Sequence, residues 1–432
     1  MDIAQSANQA RAASIQMAAV KSKTKNRALS GIIESLIKHT SAIESANGAD
    51  MKRAQAENLA GPLLKRLRFD EGKIQEACEG LKSLINLTDP VGATQTATEL
   101  DQGLELYKVT CPIGVIGVIF ESRPDALVQI SCLCLKSGNA VLLKGGSEAA
   151  ETNRVLADII GEAGIQSGLP PGWVSLLETR ADVSAMLEMD DAIDLIIPRG
   201  SNAFIRYIMD HTHIPVLGHA DGICHIYIDE YADQEMAIRV TVDSKCHYVA
   251  VCNAAETLLV HEKLAPALLP ALKKALEDRG VEIRGCGKTA RIIDVIPASE
   301  TDWKTEYLDL IISIKIVESF EDAVYHINRY GSGHTDVIVT SDKETGLRFM
   351  DYVDSADVFW NCSSRFSDGF RFGLGAEVGI STGKIHSRGP VGLEGLVIYK
   401  WRLLGDGHIV ADYTGDNSKS FTHKRLNKEF PV

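Results

Sequence analysis

One cysteine stands where it could serve either as a nucleophile or as a small buried hydrophobic residue. Cys252 lies in the stretch YVAVCNAAETLLVH, after an apolar approach and directly before the polar Asn253. The chain contains 9 cysteines, an odd number, and no CxxC pair occurs among them. This pattern favours free thiols in a reducing cytosol over a disulfide framework or a structural zinc site. The residues alone leave both roles of Cys252 open.

Basic residues follow two predicted strands. Lys144 ends the apolar run in VLLKGGSEA, and Arg123 follows the run GVIGVIF in FESRPD. In an open parallel sheet, ligands bind beyond the carboxyl ends of the strands. A lysine there suits a ribose or a phosphate, and an arginine offers a fork of donors for a carboxylate or phosphate. A surface lysine and a local ion pair of Arg123 with Glu121 remain the alternatives.

Two further stretches are candidate phosphate sites. In IPRGSNAFIRYI, Gly200 and Ser201 open a predicted helix, where free backbone N–H groups can bind an anion. In STGKIHSRGP, Lys384, His386 and Arg388 alternate, so on an extended segment all three would face one way. The alternative for Gly200 and Ser201 is an ordinary strand-to-helix connection. The alternative for Lys384, His386 and Arg388 is a solvated loop. No Cys, Asp or Glu stands at ligand spacing around His386, so no metal site is predicted.

These residues must be positioned by alternating strands and helices. About the first 90 residues are predicted to be helical, with turns at NGAD and DEGK. The predicted strands that follow are Gly114–Phe120, Ala140–Lys144, Val174–Leu177, Asp194–Pro198, Cys224–Ile228, Thr257–Val260, Leu310–Val317, Asp336–Thr340 and Val358–Asn361. The predicted helices between them are Asp125–Lys136, Glu148–Ala163, Asp182–Met189, Ala232–Val242, Lys263–Arg279, Phe320–Asn328 and Lys343–Val353. Such alternation predicts two α/β domains with parallel sheets and a cleft between them.

The same pattern predicts the domain organisation. Residues 1–230 form the first predicted domain, interrupted by a candidate arm at residues 97–111. Residues 231–401 form the second, which carries Cys252, and the join is predicted near Asp229–Asp233. Residues 402–432 form a polar tail with little to pack against alone, so a strand between subunits is one interpretation and a surface arm the other.

Composition and charge exclude some classes of protein. The formal net charge of −13 argues against a general nucleic-acid binder, and no apolar run is long enough to span a bilayer. Residues 3–33 contain basic but no acidic side chains, which is mildly like a mitochondrial transit peptide. A first folded helix is favoured instead, because one apolar stripe runs through Leu29, Ile32, Ile33, Leu36 and Ile37.

Four stretches resemble a known family. They are CPIGVIGVIFESRPDALVQISCLCLKSGNAVLLKGGSEA, VLGHADGICHIYID, CNAAETLLVH and FGLGAEVGISTGKIHSRGPVGLEGLVIYKW. Through them the chain resembles the gamma-glutamyl phosphate reductases, a branch of the aldehyde dehydrogenase superfamily, from the KNRAL helix to about Trp401. The implied fold is aldehyde dehydrogenase-like: two α/β domains with parallel open sheets and a small oligomerisation arm.

The resemblance implies an activity and a set of site residues. The activity is the NADPH-dependent reduction of L-glutamyl 5-phosphate to L-glutamate 5-semialdehyde and phosphate, the second step of proline biosynthesis from glutamate. Cys252 would displace phosphate to form a thioester, and its backbone N–H, with Arg123 or Asn253, would hold the oxyanion. The implied phosphate contacts are Arg123, Lys384, His386 and Arg388. The first domain would bind NADP, and the implied cofactor-binding residues are Lys144, Gly145, Ser147, Gly200 and Ser201 of that domain and Glu306 of the second.

Departures from ordinary aldehyde dehydrogenases refine this expectation. Their general-base glutamate, which activates water to hydrolyse the thioester, falls on Val216. Their oxyanion-hole asparagine falls on Arg123, a cation suited to a phosphorylated substrate. The glutamate that holds the adenosine ribose in NAD-preferring relatives falls near Ser147, which leaves room for the 2′-phosphate of NADP. The resemblance therefore implies a thioester that is reduced rather than hydrolysed.

The resemblance also implies a setting for the protein. It implies a cytoplasmic homo-oligomer that binds a small-molecule substrate, with no nucleic-acid or membrane partner and with a glutamate 5-kinase as a candidate partner. One rival is an acylating or ordinary aldehyde dehydrogenase that works with CoA or simple aldehydes. The other is a catalytically silent subunit on the same fold. Val216 opposes the ordinary dehydrogenase, and Cys252, Lys144 and Arg123 oppose the silent subunit.

Overall fold

The computed structural model describes residues 3–59, 61–121, 123–178, 181–219 and 221–431. Its helices are α1 (Ile3–Met17), α2 (Ser22–Lys38), α3 (Thr40–Ala56), α4 (Gly61–Leu67), α5 (Glu71–Asn86), α6 (Pro124–Lys136), α7 (Ala150–Gln166), α8 (Ala181–Leu187), α9 (Asn202–Asp210), α10 (Gln234–Cys246), α11 (Ala265–Glu277), α12 (Phe320–Tyr330) and α13 (Lys343–Tyr352). Its strands are β1 (Thr94–Asp101), β2 (Leu104–Pro112), β3 (Val115–Phe120), β4 (Ala140–Gly145), β5 (Val174–Leu177), β6 (Leu195–Arg199), β7 (Cys224–Ile228), β8 (Ala255–His261), β9 (Glu282–Gly285), β10 (Ile296–Pro297), β11 (Ile311–Val317), β12 (Thr335–Val339), β13 (Asp357–Trp360), β14 (Gly379–Ser381), β15 (Gly389–Val391), β16 (Val397–Leu404) and β17 (Lys424–Leu426).

The first parallel sheet has the strand order β5-β4-β3-β6. Every residue of β3 is buried, because alternate side chains enter two separate apolar clusters. One cluster packs α2, α5, α6 and α7 against the sheet, and the other packs α1, α8 and α9 on the opposite face. Burial on both faces explains why the strand reads as a continuous apolar run. The predicted N-terminal stripe lies in the first cluster, except that Ile37 is exposed.

The second parallel sheet has the order β10-β9-β11-β8-β7-β12-β13. Helices α10 and α11 pack on one face, and α12 and α13 pack on the other. Strand β7 pairs with β8 and β12, so the change of sheet lies before Cys224, upstream of the predicted join near Asp229–Asp233. The sequence interpretation also lacked two short strands, β10 at the edge of this sheet and β9 beside it.

The third sheet is antiparallel, with the order β16-β2-β1-β17. This sheet joins the predicted arm to the predicted tail. Strands β1 and β2 are connected by a tight turn at Gly103, whose φ of +78° favours glycine. Between β13 and β16 the chain returns to the first domain, where Val378, Val391 and Leu396 enter the cluster around α6. The last part of the predicted 231–401 domain therefore packs on the first domain.

None of the helices in the described ranges is both long enough and apolar enough to cross a bilayer.

Candidate active site

A cavity of about 450 Å³ opens where the carboxyl ends of the first sheet face the turn before β8. Glu121 follows β3 and Arg199 ends β6, and both line this cavity. The start of α9 forms one wall and the turn that carries Cys252 forms another. Two domains thus meet at the edge of the sheet where α/β proteins bind their ligands.

A tight turn presents Cys252 to the cavity. The backbone N–H of Ala254 donates to the carbonyl of Val251 at 3.1 Å, so Cys252 occupies the middle of the turn. The Cys224 thiol donates to the Cys252 carbonyl at 3.2 Å. Gly222 approaches so closely that a Cβ built there would lie 2.2 Å from the Cys252 carbonyl oxygen. Packing and hydrogen bonds therefore hold the backbone of Cys252 in place.

The surroundings of Cys252 favour a neutral thiol before reaction. The pKa of the Cys252 thiol is raised to about 12, chiefly by desolvation and also by Glu306 and Glu377, while Arg199 acts to lower it. The thiolate is the reactive form of a cysteine. The proton must therefore leave as the substrate binds or reacts, and Arg199 is the nearby cation that would stabilise the charge.

Two histidines that the sequence interpretation did not select lie beside Cys252. The sulfur of Cys252 and one ring nitrogen each of His219 and His334 lie within 4.8 Å of one another. Desolvation lowers the pKa of His219, and it lowers the pKa of the fully buried His334 well below its ordinary value. Both imidazoles are therefore neutral near pH 7. His219 lies within the quoted stretch VLGHADG, but nothing in the sequence links it to His334.

Arginines supply the positive charge of the cavity. The Arg123 side chain is 42% exposed, and its Nη2 atom lies 3.5 Å from Asp125. Arg199, which the sequence interpretation missed, lies against Gly379, where a Cβ would come within 2.6 Å of its Nη1 atom. The signal that selected Arg123, a basic residue directly after a strand, also applies to Arg199. Arg66 also lines the cavity, so the structure brings three arginines together there, of which the sequence predicted only Arg123.

The structure corrects the role predicted for Asn253. Its side chain is buried, and its amide nitrogen donates to the Ser367 carbonyl at 2.7 Å. The backbone carbonyl of Asn253 accepts a hydrogen bond from the Ser364 hydroxyl at 2.6 Å. Asn253 does not line the cavity as the structure describes it. It anchors the turn from behind, so the Cys252 backbone N–H and Arg123 remain the candidate oxyanion donors.

The structure also corrects the predicted positive face of Lys384, His386 and Arg388. These residues lie in the bent connection between the paired strands β14 and β15, so the assumption of an extended segment is wrong. Lys384 and Arg388 both pair with Asp354, at 2.5 and 3.1 Å. The ring of His386 faces the carbonyl of Gly395 at 2.8 Å. None of the three is among the described residues that line the cavity.

The predicted cofactor residues fall into two groups. Gly200, Ser201 and Glu306 line the cavity. Glu306 accepts a hydrogen bond from the Asn202 side chain at 2.5 Å and another from the Gly222 backbone. The backbone N–H of Ser201 donates to Glu121, which a bound phosphate would have to replace. A helix start facing the cavity and a carboxylate able to bind ribose hydroxyls fit a dinucleotide.

The second group lies at the end of β4, outside the lining of the cavity. Lys144 is buried there, and its Nζ atom lies 2.5 Å from the Gly145 carbonyl. A Cβ at Gly145 would lie 2.1 Å from the Asn153 amide, so this glycine permits close packing of the strand end on α7. Arg53 donates to the Ser147 carbonyl at 3.1 Å. The contact of these residues with a cofactor stays a prediction.

Comparison with known proteins places the chain in a family. Residues 1–283 match the sequence model of the Aldehyde dehydrogenase family. Gamma-glutamyl phosphate reductases of Pelotomaculum thermopropionicum and Acetivibrio thermocellus are 65% and 63% identical to the chain over 432 residues. These alignments cover 100% of this chain and 99% and 100% of the relatives. The chain belongs to the gamma-glutamyl phosphate reductase family.

A solved structure agrees with this assignment. The crystal structure of gamma-glutamyl phosphate reductase from Thermotoga maritima matches with a TM-score of 0.93 and 40% identity, over 95% of this chain and 100% of that one. Membership of this family makes the chain an oxidoreductase with the aldehyde dehydrogenase-like α/β fold. The predictions of family, fold class and enzyme class are confirmed.

Proposed function

We propose that the chain reduces L-glutamyl 5-phosphate to L-glutamate 5-semialdehyde with NADPH and releases phosphate, the second step of proline biosynthesis from glutamate. The observation that carries this proposal is one cavity that holds the Cys252 thiol together with Arg123 and Arg199. A thiol supplies the nucleophile, and arginine is the side chain best suited to bind a planar or tetrahedral oxyanion. The family of the chain supports the same substrate.

Cys252 carries the covalent step. Its sulfur attacks the acyl carbon, the bond from that carbon to the phosphate oxygen breaks, and phosphate leaves with the electron pair and the thiol proton. The product is a thioester of Cys252. The rigid turn aims the sulfur, and the Cys252 backbone N–H with Arg123 stabilises the oxyanion that forms during attack. Arg199 stabilises the departing phosphate.

Gly200, Ser201 and Glu306 would hold the cofactor in the same cavity. When bound, NADPH supplies the hydride that reduces the thioester to the aldehyde and frees the thiol. Glu306 would bind the ribose, and the start of α9 would bind a phosphate of the cofactor. The preference for NADPH rests on Ser147, which stands about where NAD-preferring relatives carry the glutamate that holds the adenosine ribose.

The thioester is protected from hydrolysis because Val216 stands where ordinary aldehyde dehydrogenases carry the glutamate that activates water. Val216 packs against the apolar cluster of α1, α8 and α9 and forms a parallel bridge with Ile196. Among the described residues that line the cavity, the carboxylates are Glu121 and Glu306. Glu121 accepts the backbone N–H of Ser201 and Glu306 accepts that of Gly222, so neither stands at the position of the usual base.

The reverse reaction tests substrate, phosphate and cofactor together. Purified protein is given pyrroline-5-carboxylate, phosphate and either NADP or NAD, and formation of the reduced cofactor is followed. We expect a rate that depends on phosphate, is higher with NADP, and disappears in Cys252→Ala. Cys286→Ala, at a partly buried cysteine outside the cavity, is the matched control. A rate that is independent of phosphate, or one that requires CoA in place of phosphate, would overturn the proposal in favour of another aldehyde dehydrogenase activity.

A further inference from the structure

A thiol and two imidazoles converge at one side of the cavity. The candidate ligand atoms of Cys252, His219 and His334 all lie within 4.8 Å of one another. The rings of the two histidines are perpendicular, with centroids 5.0 Å apart. We propose that these three residues form a binding site for a borderline-soft divalent cation of the Zn²⁺ class, and that the bound ion reversibly masks Cys252.

The donor set is one that such cations prefer. One thiolate and two neutral imidazoles are ligands of zinc, and three protein ligands leave the fourth tetrahedral position open to water. With Zn–S near 2.3 Å and Zn–N near 2.0 Å, tetrahedral ligand atoms stand roughly 3.5 Å apart. The side chains would therefore close by about 1 Å around the ion. This is within reach of rotation about side-chain bonds.

The environment of the two histidines orients them as metal ligands. Nδ1 of His219 donates to the Ile380 carbonyl at 2.9 Å, which leaves the lone pair on Nε2. Nδ1 of His334 lies 2.8 Å from the Thr335 hydroxyl. Such hydrogen bonds on the second ring nitrogen are a regular feature of metal-binding histidines.

His334 supplies the independent observation for a ligand. It is fully buried, and its Nε2 atom has no hydrogen-bond partner among the described residues. A buried polar atom without a partner is costly, and a cation bound beside Cys252 would satisfy it. The sequence prediction of no metal site rested on ligand spacing around His386, whereas these three ligands are far apart in the chain. Only the fold brings them together.

The ion would enter through the substrate cavity, since Cys252 and His219 line it. Binding therefore competes with the substrate. That competition rests on the proposed role of Cys252 as the nucleophile, whereas the metal site itself rests only on the ligand geometry.

The test measures metal binding and thiol protection directly. Chelator-treated full-length protein is titrated with Zn²⁺, and alkylation of Cys252 and Cys286 by iodoacetamide is followed by peptide mass spectrometry. We expect one equivalent of Zn²⁺ to slow alkylation of Cys252 at least about 10-fold while Cys286 is unaffected. Replacing either ligand, as His219→Gln or His334→Gln, should weaken binding by about 10- to 100-fold or more. The exposed His247→Gln is the matched control and should leave it unchanged.

A spectroscopic measurement keeps the proposal testable if His334→Gln does not fold. Co²⁺ bound to the wild-type protein should show a sulfur-to-metal charge-transfer band, which Cys252→Ser must abolish. Zn²⁺ binding without protection of Cys252, or a Co²⁺ complex without that band, would overturn the proposal. Protection of Cys252 in a protein that fails the phosphate-dependent assay would refute the proposed function and leave the metal site standing.

Discussion

A methyl group added at residue 222 would collide with the backbone of the proposed nucleophile. A Cβ there would lie 2.2 Å from the carbonyl oxygen of Cys252, 2.4 Å from its Cα and 2.6 Å from its Cβ. Ordinary Cβ contacts begin at 3.4 Å, so the two segments must separate by about 1 Å. Because two of these three atoms belong to the backbone, no side-chain rotation relieves the collision.

The size of the effect follows from this displacement. Moving a catalytic group by about 1 Å can lower the rate by about 100-fold. Overpacking of a well-filled region costs about 1–3 kcal/mol of folding stability. We therefore expect Gly222→Ala to remain folded, with kcat of the reverse reaction about 100-fold lower. The change should also perturb Glu306, which accepts a hydrogen bond from the Gly222 backbone.

The assay compares Gly222→Ala with Gly287→Ala, since a Cβ at Gly287 has no atom within 4 Å. Phosphate-dependent NADP reduction gives kcat, iodoacetamide labelling of Cys252 reports its exposure, and thermal unfolding reports stability. The control should match the wild type in all three. Wild-type kcat and labelling in Gly222→Ala would refute the inference that a rigid turn positions Cys252.

Three other variants test separate parts of the structure. Arg199→Gln should raise the KM for phosphate in the reverse reaction by about 10- to 150-fold, because a hydrogen bond to a charged group contributes about 1.5–3 kcal/mol; Arg206→Gln, at an exposed arginine paired with Asp221, should not. Lys245 and Glu256 form a fully buried ion pair of 2.6 Å, so Lys245→Met should lower the free energy of unfolding by about 3–5 kcal/mol. In a denaturant titration, the double variant Lys245→Met/Glu256→Leu should recover much of the lost free energy of unfolding. If the double variant lost as much as the single variant, the unpaired charge would not be the cause. Strand β16 is an exposed edge that carries Leu403 at 55% exposure, so we propose that it joins subunits. Leu403→Glu should then lower the mass measured by sedimentation, and an unchanged mass would exclude this edge as an interface.

Local pattern predicted the strands that coincide with short apolar runs. Val174–Leu177 and Cys224–Ile228 form strands with the bounds that the apolar runs predicted. The continuous runs of β3 and β4 predicted burial on both faces, because a parallel sheet between two layers of helices leaves no strand face in water. The sequence patterns did not predict the two-residue strand β10, because an edge strand needs little apolar surface.

Local pattern failed where the direction of a side chain depends on distant residues. Alternation predicted one shared face for Lys384, His386 and Arg388, but the connection bends and Asp354 binds two of them. Asn253 follows the nucleophile in sequence, yet Ser367 holds its amide away from the cavity. Neither partner is visible from local spacing.

The sequence by itself determined the fold class, the family and the position of the candidate nucleophile. These properties follow from hydrophobic periodicity and from long specific motifs, both of which are local along the chain. Only the tertiary structure decided what surrounds Cys252: Gly222 behind its backbone, Arg199 in its cavity, and His219 and His334 beside its sulfur. The physical reason is that charge, desolvation and ligand geometry act over a few ångströms in space, whatever the separation in sequence.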